Sequence, residues 1–171
     1  MSHSSPSPQE LAQHFIDYLT APPSYQGHDA AILRACKIIS ASHTPTPRVT
    51  TRIRITPSLC NTLGILHGGA TATIFDDITT IPLALVRKED FWEMMGVSRT
   101  LGVTYLNRVV EGEEVEVVAE LVSIGKRMGE WECYSGSPSP SFACRLTCGH
   151  SPHSRDHETG QRWSCSCYRR A

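Results

Sequence analysis

Apolar residues recur along the chain with two periods, and each change of period marks a boundary between elements. Near the start, Leu11, Ala12, Phe15, Ile16 and Leu19 share one helical face. Ser7, Pro8 and Glu10 supply a cap, a residue suited to the first turn and the acid of a capping box. Ala21-Pro22-Pro23 ends that helix. Residues 29–36 read as a second, short helix and 37–42 as a first strand, followed by the turn-rich run His43 to Pro47. From Val49 to Thr56 the period falls to two. Val49, Thr51, Ile53 and Ile55 share one face of a half-buried strand, and Pro57 closes it.

A long, nearly uncharged stretch follows Gly68-Gly69 and runs to Val86. A helix that is apolar almost all round belongs inside a fold. Asp76 and Asp77 interrupt it, and two adjacent carboxylates in such a helix are costly unless they have partners or a task. Pro82 removes one backbone hydrogen bond, so a kink or an early end is expected there. Alternation returns over Gly96 to Leu106, with Val97, Arg99, Leu101, Val103 and Tyr105 opposed to Ser98, Thr100, Gly102 and Thr104. After the turn Glu111-Gly112-Glu113 comes a strong strand, 114–124, with Val115, Val117, Ala119 and Leu121 on one face. Gly125-Lys126-Arg127 reads as the next turn. The class is α+β: an antiparallel sheet wrapped on one central helix.

From Gly129 onward the pattern fades. Trp131, Cys133 and Phe142 to Leu146 offer only fragments, and Ser135 to Pro140 is low in complexity. The final strands are therefore expected to be missing or altered. The expected division is an N-terminal helical segment over 1–36, a core over 37–128 and a divergent, disordered tail over 129–171.

Composition changes this picture little. A chain of 171 residues suits one domain with a real core. A net charge of -1 gives no pull toward nucleic acid or an anionic membrane, so neither is an expected partner. The apolar runs are far short of a membrane span. The Ser/Pro-rich start lacks a signal-peptide layout, and the cytoplasm is the expected compartment. Seven cysteines with no secretion signal argue against a disulfide framework. Cys144, Cys148, His150, His153, His157, Cys165 and Cys167 are ligand-type residues, but their spacing matches no zinc module, so no metal and no cofactor are expected.

The arrangement Asn61-x-x-Gly64-x-x-His67-Gly68-Gly69, then Asp76, then Gly96-Val97-Ser98 and the strand to Tyr105-Leu106, resembles the hotdog-fold thioesterases of the acyl-coenzyme A thioesterase 13 and phenylacetate-pathway type. The resemblance spans residues 37–128. It implies hydrolysis of an acyl thioester, held by coenzyme A or a carrier protein, in lipid or secondary metabolism. By the same resemblance, Asp76 is the general base or nucleophile, Ser98 positions water or the Asp, and His67 and Asn61 shape the other end of the site. Asp77 is the alternative base. A catalytically impaired hotdog protein that binds acyl groups or partners is the alternative function.

Physical chemistry supports these roles. A thioester carbonyl needs a donor as negative charge builds on its oxygen. The first amides of a helix lack partners and carry the positive end of its dipole, so the Gly68 N–H is a good oxyanion donor. Glycine at 68 and 69 lets substrate approach the backbone. Lys126 and Arg127 are the preferred candidates for the substrate's phosphates, with Arg87, Lys88, Arg99 and Arg108 behind them. Asp76 lies nine residues after His67, about 13 Å along a helix and on its opposite side. One helix cannot bring both to one thioester. If both act on it, they come from different subunits, and a homodimer or homotetramer is expected.

Overall fold

The computed structural model describes residues 5–21, 25–93, 95–136 and 141–150. Its elements are α1 (Pro8–Thr20), α2 (Ala30–Ala35), β1 (Lys37–Ser42), β2 (Arg48–Arg54), α3 (Gly68–Thr80), β3 (Gly96–Tyr105), β4 (Glu114–Ile124), β5 (Met128–Gly136) and β6 (Phe142–His150). The six strands form one antiparallel sheet in the order β1-β2-β4-β5-β6-β3. Its inner face packs on α3.

The predicted caps and breaks hold. The Ser7 side chain accepts from the Glu10 N–H, and the Glu10 carboxylate accepts from the Ser7 N–H at 2.7 Å. At Ile81 the α-helix gives way to a 3-10 turn, Ile81–Leu85, with Pro82 in its first positions. Thr71, Ile74, Phe75, Ile78 and Thr79 are buried along α3. They meet Val49, Ile53 and Ile55 from β2 and its end, Val117 and Ala119 from β4, and Phe15 and Ile16 from α1. Each such apolar side chain contributes about 1.5–3 kcal/mol by leaving water. The outer face is solvated and laced with cross-strand ion pairs: Arg48 with Glu120 at 2.8 Å, Arg52 with Glu116 at 2.5 Å, and Arg145 with Glu130 and Glu132.

Two expectations need correction. The sheet does not stop at residue 128, because β5 and β6 complete it up to His150. Their inward residues are Trp131, Cys133 and Ser135 on β5 and Phe142, Cys144, Leu146 and Cys148 on β6, all buried. The period of two is present, but Cys and Ser fill positions where Val or Ile would have made it visible. The part of the expected tail from 151 to 171 lies outside the described residues. In addition, Cys133 and Cys144, directly opposite one another on these strands, form a disulfide.

The third difference concerns β3. Strict alternation places Ser98 on the face opposite Leu101, Val103 and Tyr105. A register shift lies between Ser98 and Thr100, so Ser98 pairs with buried Cys148 while Leu101 and Tyr105 pair with buried Leu146 and Phe142. One extra residue in a strand reverses the side its later residues face. Ser98 thereby joins Leu101, Val103 and Tyr105 on the side facing α3.

Candidate active site

The loop before α3 is built around Asn61. Its Oδ1 accepts the Leu63 N–H at 2.9 Å and the Ile65 N–H at 3.2 Å, and its backbone C=O accepts the Gly64 N–H at 3.0 Å. Gly64 has φ +69°, a conformation open to glycine at little cost. The Asn61 carbonyl is thus spent on the loop, which leaves its Nδ2 as the atom able to reach a ligand. The His67 N–H donates to the Leu59 C=O at 2.9 Å and locks the end of this loop.

His67 is the N-cap of α3. It has extended backbone dihedrals, and its Nδ1 accepts the Gly69 N–H at 3.0 Å. Its ring proton therefore sits on Nε2, at the exposed side. Among the described residues the Gly68 N–H has no acceptor. It opens the helix beside a cleft of about 290 Å³ lined by Gly68, Tyr105, Leu106, Arg108 and Phe142, with others. Gly68 is half-buried here, and a Cβ built on it would stand 3.5 Å from the Tyr105 ring.

At the other end of the helix, Ser98 Oγ donates to Asp76 Oδ1 at 2.5 Å. Behind Ser98 lies Cys148. Burial pushes its thiol up to about 11, the Ser98 hydroxyl works the other way, and the Asp76 charge adds to the rise. The neighbouring Asp77 faces the N-terminal segment. Burial, then the charges of Asp29 and Asp76, push its carboxyl up to about 8. Its Oδ2 is buried without a hydrogen-bond partner among the described residues. Asp76, with a hydroxyl partner and an open side, is the better placed of the two to meet substrate.

The predicted residues form two groups. Asn61, His67, Gly68 and Gly69 gather at the start of α3, while Asp76 and Ser98 meet eight helical residues later, about 12 Å along the axis. Lys126 and Arg127 lie exposed on the β4–β5 turn. That turn is at the Ser98 end of the sheet, because Met128 pairs with Gly149 and Gly96 with His150. Arg108, rather than either of them, lines the cleft beside Gly68. Arg87 stacks on the Phe15 ring at 5.6 Å, which gives it a structural task. The Tyr105 OH donates to the Gly68 C=O at 2.9 Å, a contact the sequence does not announce, and Cys148, in sequence only a ligand-type residue, lies behind Ser98. Only the bulge brings Cys148 into register with Ser98, and nothing local announces that bulge.

Among the described residues no three His, Cys, Asp or Glu side chains are grouped to hold a metal ion. His153, His157, Cys165 and Cys167 lie outside those residues. No helix among the described residues is long and apolar enough to cross a membrane.

Residues 63–134 match the model of the thioesterase superfamily. Acyl-coenzyme A thioesterase 13 of Mus musculus is 37% identical over 68 residues, which cover 40% of this chain and 46% of that protein. Its Homo sapiens counterpart is 30% identical over 81 residues, covering 47% and 55%. The chain thus spans about half the length of the curated relatives it matches. Among solved structures, zebrafish thioesterase superfamily member 2 superposes with a TM-score of 0.69 at 21% identity, over 86% of this chain and all of that one. A hypothetical thioesterase from Streptococcus pneumoniae, solved with coenzyme A, gives a TM-score of 0.57 at 18% identity, over 75% and 91%.

Proposed function

We propose that this chain, in which residues 63–134 match the thioesterase superfamily model and whose fold superposes on a solved thioesterase superfamily protein, is a hotdog-fold member of that superfamily and hydrolyses an acyl thioester, carried by coenzyme A or a carrier protein, at a site shared by two protomers. The observation that carries this reading is the split of the site along one unbroken helix. The donor end, at Gly68, and the carboxylate end, at Asp76 and Ser98, are both accessible and about 12 Å apart.

Dimerisation joins them. β3 is an edge strand, and Val97 on it and Leu106 beyond its end are 51% and 52% exposed. An edge of unpaired backbone groups beside apolar side chains is a surface for a second strand. Two-fold pairing of β3 with its copy runs the two α3 helices antiparallel. Gly68 of one protomer then faces Asp76 of the other. The expected homotetramer needs a further interface, for which the outer face of the sheet offers exposed Val122 and Tyr134 beside its ion pairs.

The chemistry follows. The thioester carbonyl accepts from the Gly68 N–H, with the positive end of α3 behind it. This reading assigns the Asn61 Nδ2 and the His67 Nε2–H, from the loop and cap before α3, as further donors. Asp76 of the facing protomer takes a proton from water, and Ser98 holds the carboxylate for that transfer. The hydroxide adds to the carbonyl carbon, the tetrahedral intermediate collapses, and the thiolate leaves and is protonated. Asp76 acting as nucleophile is the variant of this scheme in which an anhydride forms first and water then cleaves it. Arg108 at one end and Lys126 and Arg127 at the other are placed to hold phosphates of a substrate lying across both protomers. The chemistry asks for no metal and no cofactor, and a cytoplasmic location remains part of the reading.

The impaired-binder alternative was motivated by the expected loss of the last strands, and β5 and β6 remove that motive. The test is thiol release from a panel of short, medium, long and aromatic acyl-CoAs by the wild-type chain and by Asp76→Asn. Hydrolysis abolished in the variant supports the reading; binding without thiol release by the wild type refutes it.

A further inference from the structure

We propose that Tyr105 is a positioning residue for the donor end of the site, acting through the Gly68–Gly69 peptide on both the Gly68 N–H and His67. This rests on the hydrolase reading and adds a residue to its machinery. Tyr105 closes β3, where it pairs with Phe142 of β6. Its ring meets Phe142 edge-on at 6.1 Å, and Phe142 in turn meets Phe75 of α3 at 6.1 Å. Two edge contacts in series fix where the Tyr105 hydroxyl points. That hydroxyl donates to the Gly68 C=O at 2.9 Å.

The carbonyl belongs to the peptide whose N–H is that of Gly69, and this N–H donates to His67 Nδ1 at 3.0 Å. The three groups form one chain: Tyr105 O–H to the Gly68 C=O, then the Gly69 N–H to the His67 ring. A hydrogen bond accepted at a peptide oxygen polarises the peptide and strengthens the bond donated by its nitrogen. The His67 ring is thereby held as the Nε2–H tautomer, with that donor on the far edge of an exposed ring. The same contact pins the first turn of α3 against β3, so the Gly68 N–H has a fixed direction before substrate arrives. Donors oriented in advance need no reorganisation when charge develops.

The test is Tyr105→Phe, which keeps the ring and its contacts and removes only the hydroxyl. Nitrogen-15 spectra of the histidine-labelled chain, with His67→Gln assigning the signal, read the His67 tautomer without substrate. Amide spectra read Gly69. The expected result is a shift of the Gly69 amide toward weaker hydrogen bonding and a less exclusive Nε2–H tautomer. The expected kinetic change is a fall in kcat of about tenfold with KM within about twofold. An unchanged Gly69 amide and His67 tautomer overturn the proposal whatever the activity does. So does a change confined to KM, which marks a plain ligand contact. If the spectra shift while the wild-type chain hydrolyses no acyl-CoA, the relay stands and the hydrolase reading falls.

Discussion

Ser98 Oγ donates to Asp76 Oδ1 at 2.5 Å, across the gap between the edge strand and the central helix. The contact exists because a bulge in β3 turns Ser98 toward α3. It gives the carboxylate a fixed direction at a place otherwise open to solvent. Removing the hydroxyl frees the Asp76 side chain to rotate. Ser98→Ala is expected to lower kcat by about 10- to 100-fold with little change in KM, read by steady-state thiol release.

Asp77 makes a different prediction. Its carboxyl is pushed up to about 8 from an ordinary 3.8, so the folded chain holds this proton more tightly than the unfolded chain. The unfolded chain thus binds fewer protons over that interval, and stability falls as pH rises from about 4 through about 8, then levels off. Asp77→Asn removes the charge from beside Asp29 and Asp76. The variant's gain over wild type should grow across that window and reach roughly 2–5 kcal/mol above it. Urea unfolding at pH 5, 7 and 9 measures this; a constant difference at all three contradicts it.

Ile78 is fully buried where α3 meets the sheet and the N-terminal helices. Ile78→Ala leaves a cavity among rigid neighbours. A loss of about 2–5 kcal/mol is expected in denaturant unfolding, with the slope of the transition unchanged.

Val97 tests the dimer. It is half exposed on the edge strand, one residue before Ser98. Val97→Lys places a charge where the proposed dimer pairs a second β3. Sedimentation should show dissociation to monomers, and thiol release per chain should fall in parallel. Monomers with full activity contradict a shared site.

Much of this architecture is legible in the sequence. The capping box at Ser7 and Glu10, the apolar helix after Gly68 and the alternation of β2 and β4 are local signals, and each element forms where its period places it. The candidate site residues Asn61, His67, Gly68, Asp76 and Ser98 are marked by a spaced arrangement rather than by periodicity. What stayed hidden depends on contacts between distant segments. β5 and β6 keep a period of two, but Cys133, Ser135, Cys144 and Cys148 carry it, and these residues look polar or ambiguous along the chain. The bulge at Ser98–Thr100 depends on pairing with β6, a strand the pattern did not reveal. Tyr105 has no meaning as a site residue until the fold brings its hydroxyl to a carbonyl 37 residues away.

Mixing two inactive variants tests the shared site most directly. Asp76→Asn removes the carboxylate and leaves Gly68 intact. Gly68→Pro removes the donor N–H at a first helical position, where proline is well tolerated. Each homodimer should be inactive. When the two are co-expressed at equal levels, half the dimers are mixed, and each mixed dimer holds one site with an intact Gly68 facing an intact Asp76. Activity should return to about a quarter of the wild-type value for random two-fold pairing. If each site lies within one protomer, every site in the mixture carries a defect, and activity stays at the level of the separate variants.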